Sequence, residues 1–222
     1  MKYIAFIFCS FFVIACNTKP ESKKQTPIFP LDKGNQWVYE ANIKYHDRVM
    51  DSLITQKIEW TMEVVDTLHH GAYIAAVIKG FPTDLVWYNG KTERGTLVLL
   101  QDSNKVYLCS AENIDTLIAR IRNQNDSLVE LRNSQEILFD FPLTKSKTWG
   151  ADPEMPQRED SMYAWVVKKS ASDTSSAEIQ YMTNPDHSIF QFQPGVGITG
   201  YYFEHHGTVM ELNMKLIRKT LH

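Results

Sequence analysis

Two histidine pairs are the first candidates for chemistry: His69-His70-Gly71 and His205-His206-Gly207. Imidazole nitrogens are common zinc and copper ligands. Each pair lies between two strand-like runs, however, and neighbours along a strand point to opposite faces. A metal would need both pairs to converge. The expectation is two polar turns with glycine at positive φ, with no metal and no cofactor. Gly195-Val196-Gly197-Ile198-Thr199-Gly200 spells G-x-G-x-x-G. A dinucleotide site needs that run between a strand and a helix. Tyr201, Tyr202 and Phe203 follow it and favour a strand, so it reads as a glycine-rich turn. Glu59 and Glu63 share a strand face, and Asp152, Glu154, Glu159 and Asp160 form an acidic loop; both sets read as solvated. The sequence holds no G-x-S-x-G, H-E-x-x-H, Walker or EF-hand motif, so the chain is expected not to be an enzyme.

Three cysteines remain to be placed: Cys9, Cys16 and Cys109. Met1-Lys2 is a short positive start, and Tyr3 to Ala15 is almost wholly apolar. That run is too short to span a bilayer as a helix, which takes about 20 residues. It has the proportions of a secretory signal core. It ends in Val13-Ile14-Ala15-Cys16, which resembles the bacterial lipobox. The resemblance implies a diacylglycerol on the Cys16 sulfur, cleavage before Cys16, and acylation (palmitate) of the new amine. Residues 1–15 are then a lipoprotein signal peptide, and 16–26 are the lipidated cysteine and a polar tether. Residues 27–222 form a single β-rich domain. The implied partner is a membrane, reached through the N-terminal lipid. Cys9 leaves with the signal, so Cys109 has no intramolecular partner and reads as a buried thiol.

The full chain has 222 residues, 23 Lys plus Arg against 26 Asp plus Glu, and 43% hydrophobic residues. The apolar content excludes disorder for most of it. The acidic balance argues against nucleic acid as a partner. From Trp37 the chain alternates: Trp37, Tyr39, Ala41, Ile43 and Tyr45 fall on one side, with Glu40, Asn42, Lys44 and His46 on the other. Ile58, Trp60, Met62 and Val64 alternate in the same way. Period two predicts half-buried antiparallel strands. Tyr73 to Ile78, apolar on both faces, reads as a central strand. Further short strands are expected at 85–88, 96–101, 105–109, 163–168, 177–182, 188–192, 198–203 and 208–218. In the last, Met210, Leu212, Met214 and Leu216 are expected inward. Ile114, Leu117, Ile118 and Ile121 follow helical spacing and predict one short helix near 111–123. The expected fold is mainly β: one antiparallel sheet, curved and half-barrel-like or a sandwich.

Phe29-Pro30-Leu31-Asp32-Lys33-Gly34-Asn35-Gln36-Trp37 recurs in outline as Phe141-Pro142-Leu143-Thr144-Lys145-Ser146-Lys147-Thr148-Trp149. In each, proline ends an extended run, a polar turn follows, and tryptophan opens the next strand. Ser146 stands where the first copy has Gly34, so the second turn is expected to differ. The histidine pairs do not share the motif's offset, which argues against splitting the domain.

The lipobox, the Phe29 to Tyr39 motif, Leu138 to Trp149 and Pro194 to Ile198 together resemble a loose group of uncharacterised Bacteroidota cell-envelope lipoproteins. That resemblance brings no activity and no catalytic residue. It implies a lipid-anchored cell-envelope protein. No acidic cluster follows Cys16 closely, so the domain is expected to face the periplasm rather than be displayed at the surface. Five triplets (Asp51-Ser52-Leu53, Asp66-Thr67-Leu68, Asp115-Thr116-Leu117, Asp126-Ser127-Leu128 and Asp160-Ser161-Met162) resemble the O-glycan acceptor sequence of exported Bacteroidota proteins. The same residues also suit turn and helix starts. Two roles remain open: a binding or scaffold module with an unknown ligand, or a carrier of lipid or another apolar ligand in a β cavity.

Overall fold

A computed structural model describes residues 28–47, 49–71, 73–109, 114–123, 136–150, 163–172, 176–183, 187–205 and 209–222. Cys16, the tether, Ser127, Ser161, His206 and the acidic loop at 151–161 lie outside the described residues.

The strands are β1 (Gln36–Asp47), β2 (Ser52–His70), β3 (Tyr73–Lys79), β4 (Thr96–Asp102), β5 (Lys105–Cys109), β6 (Glu136–Asp140), β7 (Thr148–Trp149), β8 (Ala164–Lys169), β9 (Ala177–Met182), β10 (His187–Gln193), β11 (Gly197–Glu204) and β12 (Val209–Thr220). They form one antiparallel sheet in the order β6-β5-β4-β3-β2-β1-β12-β11-β10-β9-β8-β7. Two six-strand meanders are thus joined where β1 pairs with β12. The two outer strands come together and nearly close a barrel. Trp149 Nε1 donates to the Ile137 carbonyl (3.0 Å), and Lys147 pairs with Asp140 (2.9 Å).

The alternation along β1 is the reason it forms. Trp37, Tyr39, Ala41 and Ile43 are fully buried in the lumen, while Glu40 outside pairs with Lys57 on β2 (2.6 Å). β3 is apolar on both faces because both are covered. Ala76 and Ile78 join the lumen core. Ala75 and Val77 join a second cluster outside the barrel, roofed by α1 (Ile114–Asn123) through Leu117 and Ile121. The helix therefore stands where its spacing predicted, among the described residues.

The strand expected at 85–88 is instead a 3-10 helix, Pro82–Trp87. Pro82 cannot donate to a ladder. Leu85 and Tyr88, three residues apart, are both buried. This segment turns into the lumen and packs against β12 as a plug. Met210 is exposed rather than inward, because a bulge between Lys44 and Tyr45 shifts the β1–β12 register at that point. Leu212 and Met214 point inward as expected.

The two copies of the Phe-Pro-Leu motif build the same corner. Gly34 N–H donates to the Val64 carbonyl and Val64 N–H to Asn35 (both 2.9 Å); Ser146 N–H donates to Val167 (2.9 Å) and Val167 N–H to Lys147 (3.0 Å). The inner turn also matches: Asn35 N–H reaches Asp32 (3.1 Å), and Lys147 N–H reaches Thr144 (3.0 Å). Contrary to expectation the serine does not change the turn. Gly34 has φ +90° and Ser146 φ +68°, so serine accepts the left-handed conformation its place demands. One motif leads into the first strand of each meander. The histidine pairs fall between second and third strands in one case and fifth and sixth in the other. Their mismatched offset is therefore no argument against two related halves.

Candidate functional site

The places where a ligand could meet this barrel are its lumen, its two ends and its outer faces. The lumen is filled by the protein's own rings. Phe29 lies against Trp37 (centroids 6.0 Å apart) and Phe192 (5.4 Å). Phe192 meets Phe139 (5.0 Å) and Phe141 (5.1 Å). Phe139 meets Phe190 (5.7 Å), which touches Tyr201 (4.6 Å), Trp165 (5.7 Å) and Phe81 of the plug (6.0 Å). Tilted and edge-on ring pairs at such spacings each add about 0.5–1.5 kcal/mol beyond area burial. The polar tips are satisfied as well: Trp37 Nε1 donates to Val196 (2.6 Å) and Tyr39 Oη to Ile198 (2.9 Å). The Pro194–Ile198 turn is thus a clamp on the motif rings, and a Cβ at Gly197 would sit 2.8 Å from Phe29.

Both ends are stoppered. At the end where β1 begins, the two motif corners carry Phe29, Leu31, Phe141 and Leu143, all buried. At the other end the plug is latched: Trp60 Nε1 donates to Gly80 (2.8 Å), Tyr88 Oη to Gln56 (2.8 Å), and Gly95 N–H to Asp84 (2.8 Å). Burial raises the Asp84 carboxyl above its ordinary pKa, and the Gly95 N–H partly offsets this.

His70 and His205 do not converge. Gln36 at the start of β1 faces Glu63, and β2 runs seven residues further to His70. Val209 faces Tyr45 near the other end of β1, so His205 lies at the opposite end of the barrel from His70. Among the described residues no cluster of three metal-ligating side chains occurs. The glycine-rich run enters strand β11 directly, as a turn should. Cys109 is buried under α1, and burial pushes its thiol up to about 12, so it is protonated at neutral pH.

The described hydroxyls of the Asp-Ser/Thr triplets differ. Thr67 Oγ1 is committed to the Leu31 carbonyl (2.6 Å). Ser52 is half-buried at the start of β2, and Thr116 is exposed on the first turn of α1.

The chain is similar in structure to two solved proteins from Bacteroidota. One is an exported-protein candidate with a YmcC-like fold from Bacteroides fragilis, with 12% identity and TM-score 0.40 over 88% of this chain and 99% of that one. The other is a lipoprotein candidate from Parabacteroides distasonis, with 10% identity and TM-score 0.36 over the same shares. No protein-family model and no curated protein matches the sequence.

Two features of the surface are not legible in the sequence. Six of the seven large apolar residues exposed among the described residues (Val49, Met50, Leu53, Trp87, Tyr163 and Met210) gather at the plugged end. The pairing shows this. His46 faces Leu53, Tyr45 faces Val209, and Tyr88 meets Tyr45 edge-on. Tyr163 N–H bonds Met182, which faces His187, opposite Glu204 at the same end. The second feature is an uncovered stretch of β2. Single exposed apolar residues in a sequence carry no such signal, since only strand order brings them to one end.

Proposed function

We propose that this protein is a lipid-anchored cell-envelope module that binds or scaffolds through its outer surface, with no catalytic role. The observation that carries this reading is the filled lumen. Nine aromatic rings from both meanders and the plug pack on one another, where a carrier would present them to a ligand. Residues 1–15 are removed, Cys16 is acylated, and residues 16–26 tether the domain 27–222 to the bilayer, on its periplasmic face. Several acyl chains, at about 0.8 kcal/mol per buried CH₂, make that anchor stable.

Intact-mass analysis of the protein from its native membrane tests both parts. The expected mass is the chain from Cys16 plus diacylglycerol and one acyl group, with no other lipid retained under native conditions. Retention of a stoichiometric second lipid would favour a carrier and sink the scaffold reading. Cys16→Ala would be expected to abolish the acyl mass and leave the protein unprocessed.

Of the glycan acceptor triplets, the one at Thr116 suits modification best, since the residue is exposed on the first turn of α1, whereas Ser52 and Thr67 are half-buried. Site-resolved glycopeptide mapping of the native protein, with Ser127 and Ser161 included, would settle occupancy. A bare peptide at both Ser52 and Thr116 would reject it.

A further inference from the structure

We propose that the plugged end of the barrel docks on a lipid bilayer, the same one that holds the acyl chains of Cys16. The proposal rests on the lipid-anchor reading above and deepens it by naming what the outer surface binds. Four separate segments build this end. Val49 (95% exposed), Met50 (63%) and Leu53 (49%) stand at the β1–β2 turn, Trp87 (71%) on the plug, Tyr163 (44%) before β8, and Met210 (41%) at the start of β12. Gathered apolar residues of this kind on a folded domain mark contact with another protein or with a membrane.

The chemistry of the end suits a bilayer. Tryptophan and tyrosine stand there beside methionine and aliphatic side chains, the mixture that sits at the headgroup level of a membrane. The most exposed tip leaves little backbone to desolvate: the N–H groups of Val49 and Met50 both donate to Asp47 Oδ1 (2.7 and 3.1 Å). Asp51, the acid beside Met50, lies 3.3 Å from His46 Nε2. Among the described residues the exposed charges of this end lean acidic, with Asp51, Glu204 and Glu211 against Lys91. Apolar contact, rather than attraction to anionic lipid, therefore holds the end in place.

The length of the tether names the occupant. Ile28, where the described chain begins, is at the corner end, and its carbonyl accepts the Gly195 N–H (3.0 Å). The 12 residues of β1 cross the wall from that end to the plugged one, about 28 Å along the barrel axis at the usual strand rise and tilt. From Cys16 to Ile28 the chain extends to about 40 Å at most and relaxes to about 20 Å. Drawn out, it runs the length of the barrel, and the plugged end meets the bilayer beside the acyl chains. The anchor keeps that bilayer at high effective concentration, an advantage a free partner lacks.

The test uses the acylated protein purified from its native host and reconstituted in phosphatidylcholine vesicles, with and without bromine on the acyl chains. Trp37, Trp60, Trp149 and Trp165 are buried, so bromine quenching of tryptophan emission reads Trp87. Bromine near the headgroups is expected to quench about twofold more than bromine near the chain ends, since interfacial contacts are shallow. Trp87→Phe should remove the quenched component. Met50→Asp changes an exposed side chain, so the fold should persist while quenching falls about fivefold or more. Deleting residues 18–23 leaves a tether of about 20 Å at full stretch, too short to run the length of the barrel. Quenching should then vanish with the acyl groups still in place. Equal emission in brominated and plain vesicles overturns the proposal, as does quenching that survives Met50→Asp or the deletion. So does a Trp87 emission that shifts only with protein density in plain vesicles, which would assign this end to a second copy. Intact mass is read first. Missing acyl groups overturn both readings, whereas an acylated protein without quenching overturns this one alone.

Discussion

Single residues here are constrained by backbone conformation and by burial. Gly197, at φ +97°, has no room for a Cβ beside Phe29. Gly197→Ala is expected to destabilise the protein by about 2–3 kcal/mol through strain and overpacking. Ser146→Gly, at the same left-handed conformation with no such crowding, is expected to stabilise it by about 0.5–1 kcal/mol. Urea unfolding of the two variants checks the opposite signs. Burial also sets an alkaline limit. Cys109 is raised from 9.0 to about 12, and Tyr201 from 10.0 to about 12, each mainly by desolvation. Both groups are neutral in the fold and titrate earlier when unfolded. The stability they confer is complete below about pH 9 and is lost as pH climbs toward 12. A melting temperature that stayed flat from pH 9 to 11.5 would contradict this.

Among the elements, the helix and the plug each cover one face of the sheet. α1 roofs the outer faces of β3, β4 and β5, where Val98, Leu100 and Cys109 lie under Leu117 and Ile121. Ile121→Ala should cost about 2–4 kcal/mol. It should also let a thiol reagent reach Cys109 in the native state, where the wild-type thiol reacts only on unfolding. Unchanged labelling would mean that α1 does not shield the thiol. The helix was readable beforehand because its four isoleucine and leucine positions repeat at helical spacing over about two turns. The plug was not. Leu85-Val86-Trp87-Tyr88 is a short apolar run, and such runs look alike in a strand and in a buried turn. What made it a plug is the lumen it enters, formed by strands far away in the chain.

The whole molecule is a sheet whose closure depends on tryptophan. Trp149 Nε1 bonds the exposed edge of β6 at Ile137 (3.0 Å), and Trp165 Nε1 reaches Glu136 (3.3 Å), where further backbone pairing would otherwise be needed. Trp149→Phe keeps the ring and removes the donor, leaving a carbonyl short of a partner. A loss of about 1–2 kcal/mol is expected in denaturant unfolding. Because Trp149 is the counterpart of Trp37, whose indole bonds Val196 (2.6 Å), Trp37→Phe should cost a similar amount. A large disparity would show that the two halves, alike in their corners, are not alike in their closure.

Local patterning determined the strands, the helix, the signal-like start and the repeated corner, because each depends on which side of a short segment is buried or which turn a proline and a polar run allow. The candidate sites were legible only as residue types. Strand order then placed His70 and His205 at opposite ends, gave Ser146 the glycine-like conformation of Gly34, threw Met210 outward at a bulge, and left β2 uncovered from Leu53 to Glu59. These outcomes rest on pairs such as Trp37 with Val196, 159 residues apart, and His222 with Asn35, 187 apart. No short-range period encodes such contacts; they exist only once twelve strands have chosen their neighbours and the sheet has curled until its edges meet.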